Sequence, residues 1–257
     1  RGTAMSCEMI SAKITNKDIK VICFDSIDST SSYLRRLLND SEKGIVLAVA
    51  KQQTAGRGRS GKSFCSPDCG GLYMSLLIHP EISFDDVTSV TAKVCVAVCK
   101  AIETVTGIQT DIKWVNDLYL NGKKVCGILC EAINDYKRAV TKSIIIGVGI
   151  NLNTADFPED LQDTAGSLGV CETCRDMLIT VITNALLNLN FGELSDDELA
   201  FYRERSCVLG KTINYFINGQ KNTAEAVAID TSGGLIVKNI NGDTVTLTSG
   251  EISVRLC

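Results

Sequence analysis

Apolar positions along the chain alternate between strand-like runs and helix-like spacings. Val21-Ile22-Cys23-Phe24 is a short apolar run, followed by the capping types Asp28, Ser29 and Thr30. Tyr33, Leu34, Leu37 and Leu38 then recur at helical spacing. Ile45 to Ala50 is apolar throughout, which predicts a central strand, and Leu72 to Ile78 predicts a third. Val87, Val90, Val94, Val98, Ala101 and Ile102 mark one face of a helix over 85–105, ended by Gly107. Asn121-Gly122 predicts a type I′ hairpin between two apolar strands. Ile144 to Ile150 predicts the next strand, and 154–168 a polar loop. Met177, Leu178, Val181, Ile182, Ala185, Leu186 and Leu189 line one side of a further helix. A shorter one over 195–205 starts with a capping box, Ser195 with Glu198.

From Gly210 the texture changes. Turn signals crowd together at Asn218-Gly219, Ser232-Gly233-Gly234 and Asn241-Gly242. They predict a meander of about five strands, a small barrel. The division therefore falls near Val208–Gly210, giving segments 1–208 and 209–257. The first six residues carry no pattern and read as a disordered start or a cloning remnant.

Composition changes this picture little. The chain has 257 residues, ordinary globular content and a net charge of −4, so it is not a polyanion binder overall. No signal-like segment is visible, and no apolar run approaches membrane-spanning length. The expectation is a cytosolic protein, with import into an organelle left open. Twelve cysteines require a decision. Cys95 and Cys99 sit in a helical run and Cys126 and Cys130 in a strand, where they read as small buried hydrophobes. Length without a secretory signal argues against a disulfide framework. Cys171 and Cys174 lack a second pair for zinc, and the only histidine, His79, ends a strand and reads as structural.

The candidate chemistry centres on Gln53-Thr54-Ala55-Gly56-Arg57-Gly58-Arg59-Ser60-Gly61-Lys62-Ser63-Phe64. Glycines allow close approach to a ligand, and arginine forks fit phosphate or carboxylate oxygens. This stretch alone reads either as an anion clamp or as a solvated basic loop. Ser29 and Thr30, at a strand-to-helix junction, serve either as caps or as donors to a polar ligand head. Lys113 and Lys124 bracket the hairpin beside the only tryptophan, Trp114. Gly127 lies inside a strand, a sign of close backbone or ligand approach. Gly147 and Gly149 bare one strand face, which suits a pocket floor or a barrel corner.

Five stretches in order resemble biotin–protein ligases. They are Gly56-Arg57-Gly58-Arg59-Ser60-Gly61-Lys62, Lys113-Trp114-Val115-Asn116-Asp117, Lys124-Val125-Cys126-Gly127-Ile128-Leu129, Gly147-Val148-Gly149-Ile150-Asn151 and Gly250-Glu251-Ile252-Ser253-Val254-Arg255. The resemblance covers nearly the whole chain from Phe24. It implies an α+β fold: a mixed sheet flanked by helices (the class II synthetase-like catalytic domain), then a small SH3-like β-barrel. It implies ATP-dependent activation of biotin to biotinyl-5′-AMP, with magnesium, and transfer to a lysine of a biotin carboxyl carrier domain. The chain starts too close to its first catalytic strand for the DNA-binding winged helix of some members, so a single-function ligase without nucleic-acid or membrane partners is expected. Members occur as monomers and homodimers, and the sequence leaves that choice open.

Carried onto this sequence, the biotin side takes Ser29, Thr30, Gln53, Gly56, Arg57, Gly58, Arg59, Lys124, Gly127 and Leu129. The ATP and adenylate side takes Arg57, Arg59, Phe64, Asn116, Lys124, Gly147, Gly149 and Asn151. Lys113, Lys124 and Arg59 are the expected catalytic residues, and no metal ligand is assigned. Phe64 stands where tryptophan is common, Lys62 where arginine is common, and Val115 where proline is usual. The problem in the first step is bringing two anions together, which the cationic side chains would offset. The rival readings are a lipoate–protein ligase of related fold, and a nucleic-acid-binding module using the basic loop and the small barrel. The acidic total and few aromatics weigh against the second.

Overall fold

The computed structural model describes residues 7–40, 42–67, 70–84, 86–155, 157–217, 220–248 and 255–256. The expected unstructured start, the Asn218-Gly219 turn and 250–254 of the last motif lie outside them. Strands β1 (Lys20–Ile27), β2 (Val46–Gln53), β3 (Gly71–Ile78), β4 (Ile82–Ser83), β5 (Asp111–Lys113), β6 (Asp117–Leu120), β7 (Lys123–Asp135) and β8 (Val140–Asn151) form one sheet. Its order is β1-β2-β3-β8-β7-β6-β5, with β4 pairing β8. β1 and β2 are parallel and the other pairs antiparallel, so the sheet is mixed as expected.

The period-2 rule sorts the sheet's faces. Leu47, Val49, Met74, Ile146 and Val148 face the main core, with α3 (Val87–Thr106) and α4 (Arg175–Leu187). Val46, Ala48, Leu77 and Ile145 face α2 (Thr30–Asn39) through its Leu34. Ser29 caps α2, its side chain accepting from the Ser32 amide. Gly107 ends α3 in the left-handed region at φ 72°. At the β6–β7 hairpin Asn121 and Gly122 both have positive φ, 51° and 77°, as a type I′ turn requires.

α5 (Asp196–Arg205) carries the predicted capping box between Ser195 and Glu198. Glu198 also accepts from Lys93 at 2.9 Å, and the Lys93 side chain is only 3% exposed. Burial alone would raise the Glu198 carboxyl, but the bonds from Lys93 and Ser195 outweigh it and hold the carboxyl below its ordinary value. A depressed folded value means this stability is present above the unfolded pKa of about 4.3 and lost as pH falls through the folded one. Lys93→Ala should destabilise the fold by about 2–3 kcal/mol in urea unfolding at neutral pH, because it leaves a partly buried carboxylate without its cation, with only the Ser195 amide as partner. The deficit should shrink towards pH 3.

The remaining strands, β9 (Thr212–Ile217), β10 (Gln220–Ile229), β11 (Leu235–Lys238), β12 (Thr244–Leu247) and β13 (Arg255–Leu256), form a five-stranded antiparallel sheet, ordered β12-β11-β10-β9-β13, the meander expected of the small barrel. Its Ile213, Ala226 and Leu235 join the main core, and the Trp114 indole donates to the Gly233 carbonyl at 2.9 Å.

A helix that the sequence reading did not assign, α1 (Cys7–Lys13), precedes β1 and packs against α4. Two expectations are corrected. Cys7 and Cys23 are joined by a disulfide that ties α1 to β1, although free cysteines were expected. Met177 is 50% exposed, because α4 packs on both α1 and α3 and its buried face is wider and rotated. That face takes in Thr180 and Thr183, whose hydroxyls bond back to the helix carbonyls of Asp176 and Ile179. The structural reading of His79 holds: its ring nitrogens meet Ser143 Oγ and the Gly44 carbonyl. No helix among the described residues is long and apolar enough to cross a membrane.

Candidate functional site

Beyond the N-terminus of α2 the α2 face of the sheet lies open, and a cavity of about 690 Å³ fills the space. Register explains its floor. One row of cross-strand partners runs Ala50, Tyr73, Gly149, Gly127, Asp117, Lys113. The next runs Ala48, Ser75, Gly147, Leu129. Three glycines thus replace the side chains that would fill the cavity. The Phe64 ring lies on two of them: an added Cβ on Gly149 would sit 2.5 Å from Phe64 Cε1, and one on Gly127 2.9 Å from Cε2.

One end of the cavity is neutral and polar. Gln53 Oε1 accepts from the Thr30 amide at 2.9 Å and from the Thr30 hydroxyl at 3.1 Å. Thr30 Oγ1 and Ser31 Oγ meet Ser75 Oγ at 2.7 and 2.8 Å. Gln53 Nε2 donates to Ser66 Oγ, which donates to the Phe64 carbonyl, so this head pocket is bonded directly to the base of the glycine-arginine loop. Ser29 lines the same end while capping α2, so the two readings of that residue coexist.

The other end is cationic. Lys113, Lys124, Arg59 and Lys62 line it, and Asp117 is the carboxylate among the described lining residues. A bulge places Lys124. Leu118 pairs with Cys126 and Tyr119 with Lys124, so β7 holds an extra residue, Val125. In a regular strand Lys124 and Gly127 would face opposite sides; the bulge brings Lys124 onto the cavity face. Its ammonium pairs with Asp117 at 2.7 Å and lies 5.9 Å from the Phe64 ring centroid. Its backbone is fixed by the Thr164 carbonyl and the Gly166 amide. Lys113 Nζ donates to the Tyr119 hydroxyl at 3.1 Å. Burial pushes that phenol up to about 12, so it stays protonated at neutral pH.

The loop itself is a small folded turn. Phe64 N donates to Gly56 O and Gly58 N to Lys62 O. Ser60 and Gly61 at its tip take positive φ, 53° and 74°. Arg59 donates to Asn116 Oδ1 at 3.1 Å, and Asn116 donates in turn to the Ile128 carbonyl. Burial draws the Arg59 guanidinium down from its ordinary value, Asp117 opposing, and an arginine stays charged regardless. Arg57 lines the cavity but places its fork on Glu131.

Of the expected site residues, Ser29, Thr30, Gln53, Arg57, Gly58, Arg59, Phe64, Lys113, Asn116, Lys124, Gly127, Leu129, Gly147 and Gly149 all line this cavity. Gly56 does not: it is buried where the loop's two arms cross, against the Phe64 carbonyl and Ser66 Oγ. Asn151 lines an adjoining pocket of about 180 Å³ behind Phe64, its amide on the Gly166 carbonyl. Sequence reasoning missed Ser31, Ser75, Tyr119, Leu161 and Thr164. For Ser75 the one available signal was a lone serine in the apolar run of β3, which by itself names no partner. Among the described residues no cluster of three or more His, Cys, Asp or Glu side chains suits a metal. Cys95, Cys99 and Cys126 are buried as expected and Cys130 is half-buried; burial raises the thiols of the first three and pushes Cys130 up to about 12, which disfavours the reactive thiolate.

Comparison with known proteins places this site in a lineage. Residues 23–151 match the model of the biotin/lipoate A/B protein ligase family, and 208–255 that of the biotin protein ligase C terminal domain. The bifunctional ligase/repressor BirA of Bacillus subtilis is 43% identical over 150 residues, 58% of this chain and 46% of its own length. The chain thus spans less than half of the Bacillus relatives it matches. The biotin--[acetyl-CoA-carboxylase] ligase of Paracoccus denitrificans is 30% identical over 233 residues, covering 85% of this chain and 94% of that one. The solved biotin protein ligase from Aquifex aeolicus in complex with biotin and ATP superposes with a TM-score of 0.76 at 27% identity, over 93% of this chain and 99% of that chain. The glycine floor, the bulged lysine strand and the glycine-arginine loop all fall within the matched residues, and the chain belongs to the biotin/lipoate A/B protein ligase family.

Proposed function

We propose that the chain is a biotin–protein ligase. The observation that carries this is the cavity's polarity: a neutral hydrogen-bonding pocket at one end, a glycine floor with the Phe64 ring on it, and a cationic cluster at the other. A ligand with a polar uncharged head and an anionic tail fits that sequence of surfaces, as biotin does. Ser29, Thr30, Ser31, Ser75 and Gln53 would hold its ureido head. The carboxylate would lie by Lys124, where the α-phosphate of ATP must also come. Lys124, Lys113 and Arg59 offset the repulsion between the two anions and stabilise charge on the phosphoryl oxygens. The carboxylate oxygen attacks the α-phosphorus, pyrophosphate leaves, and biotinyl-5′-AMP forms. A lysine amine of a carrier domain then attacks the acyl carbon, giving the amide and AMP. The glycine-arginine loop would act as a lid over the adenylate and exclude water from it. Phe64 and the Asn151 pocket would take the nucleotide.

Magnesium is held in such sites by one or two carboxylates plus substrate phosphates. Asp117 suits that role, and the ion would neutralise phosphate charge there. The unit that does this chemistry ends near Val208, a reading supported by the new sheet that starts at Thr212 after α5. A cytosolic setting suits ATP chemistry and the free thiols among the described residues, with the Cys7–Cys23 bond pulling the other way.

Lipoate is the second reading, because the matched family model spans both activities. ATP–pyrophosphate exchange decides between them. Exchange should depend on biotin and be absent with lipoate alone. Exchange with lipoate and none with biotin would overturn the proposal.

A further inference from the structure

Glu131 stands on the cavity face of β7, two residues beyond Leu129 and opposite Ile145, at the rim of the site. Its side chain is 13% exposed and carries two arginines. Arg57 of the loop is bidentate on it, Nη2 to Oε1 at 2.9 Å and Nη1 to Oε2 at 3.1 Å. Arg35, one helical turn beyond Ser31 on α2, donates to Oε1 at 3.0 Å. Strand and helix thus form a fixed socket, and the loop arginine plugs into it. Fork-to-fork pairing is the strongest and most directional form of this contact.

We propose that Glu131 with Arg35 is the dock that fastens the lid, so the loop's two arginines divide the work: Arg57 closes it and Arg59 serves the ligand's phosphate. This rests on the ligase reading above. The geometry argues against Arg57 as a phosphate ligand, because its fork would have to leave Glu131. Arg35 has a separate part. When the lid opens, Glu131 keeps one cationic partner, so no buried carboxylate is left alone and opening stays easy. Removing Arg35 should therefore tighten the lid, whereas removing the Glu131 charge should loosen it.

The test uses the whole chain. Biotin and α-³²P-ATP are allowed to form labelled adenylate, the complex is isolated by rapid gel filtration, and loss of label is followed under a chase of unlabelled adenylate. Glu131→Gln should lose label about tenfold faster than the wild type, the worth of one charge-assisted pair, while forming it at the wild-type rate. Arg57→Met should also lose it about tenfold faster, and the double variant should be no faster than the quicker single one. Arg35→Met should lose label about threefold more slowly. Wild-type rates in Glu131→Gln, multiplying effects in the double variant, or faster loss in Arg35→Met would each overturn the dock. Arg57 is on a surface loop, so its variant folds even where a β7 variant fails. A wild type that never acquires label with biotin overturns the ligase reading instead.

Discussion

Lys124→Ala is expected to lose biotin-dependent pyrophosphate exchange by about 10²–10³-fold, the usual consequence of deleting one preorganised charge at a reacting centre. The bulge at Val125 turns this ammonium onto the cavity face beside Gly127, and Asp117 holds it there at 2.7 Å. Its partner's carboxylate prevents it from collapsing onto solvent. Lysine is a compact point charge, so a neutral side chain of the same length supplies shape without the effect. Lys124→Met should therefore be as inactive as the alanine variant. Both should stay folded, since the side chain is 32% exposed and belongs to no core cluster. Full exchange activity in either variant would remove Lys124 from the chemistry.

Much of the architecture was legible because it is local. The alternation in β8 tells which residues meet the core and which glycines face the cavity. Gly107, Asn121-Gly122 and the Ser195–Glu198 box act within a few residues of themselves, and each is found as read. What was not legible depends on partners far along the chain. Glu131 meets Arg57 and Arg35 across sequence separations of 74 and 96 residues, and nothing in its surroundings marks it. The disulfide needs α1 folded back on β1, and α1 is too short to show a helical stripe. Ser75 becomes a head-pocket residue because its cross-strand neighbour is Gly147. The bulge at Val125 breaks the period-2 rule by which strands are read, so the side chain of Lys124 would have been assigned to the wrong face from alternation alone. Met177 fails for a related reason: packing on two helices widened the buried stripe of α4 beyond its apolar one.

A different signature is expected for Arg59→Ala, whose largest effect should be faster loss of the adenylate. Arg59 is held by Asn116 and half-buried, next to Lys124's partner Asp117. It sits at the cationic end of the cavity, away from the Ser75–Thr30–Gln53 pocket. Biotin binding, governed by that pocket, should weaken less than threefold by calorimetry. The adenylate carries its phosphate at the cationic end, so its loss should quicken about 10- to 100-fold, about 1.4–2.7 kcal/mol of lost stabilisation. The change should lie in the off-rate, as for most truncated charge pairs at an interface. Loss of the dock at Glu131 would quicken release by a different route, through opening. Arg59→Ala and Glu131→Gln should therefore combine multiplicatively, whereas Arg57→Met and Glu131→Gln should not. Equal losses of biotin and adenylate affinity in Arg59→Ala would place this arginine in the head pocket or the fold, and the division between the two loop arginines would fail with it.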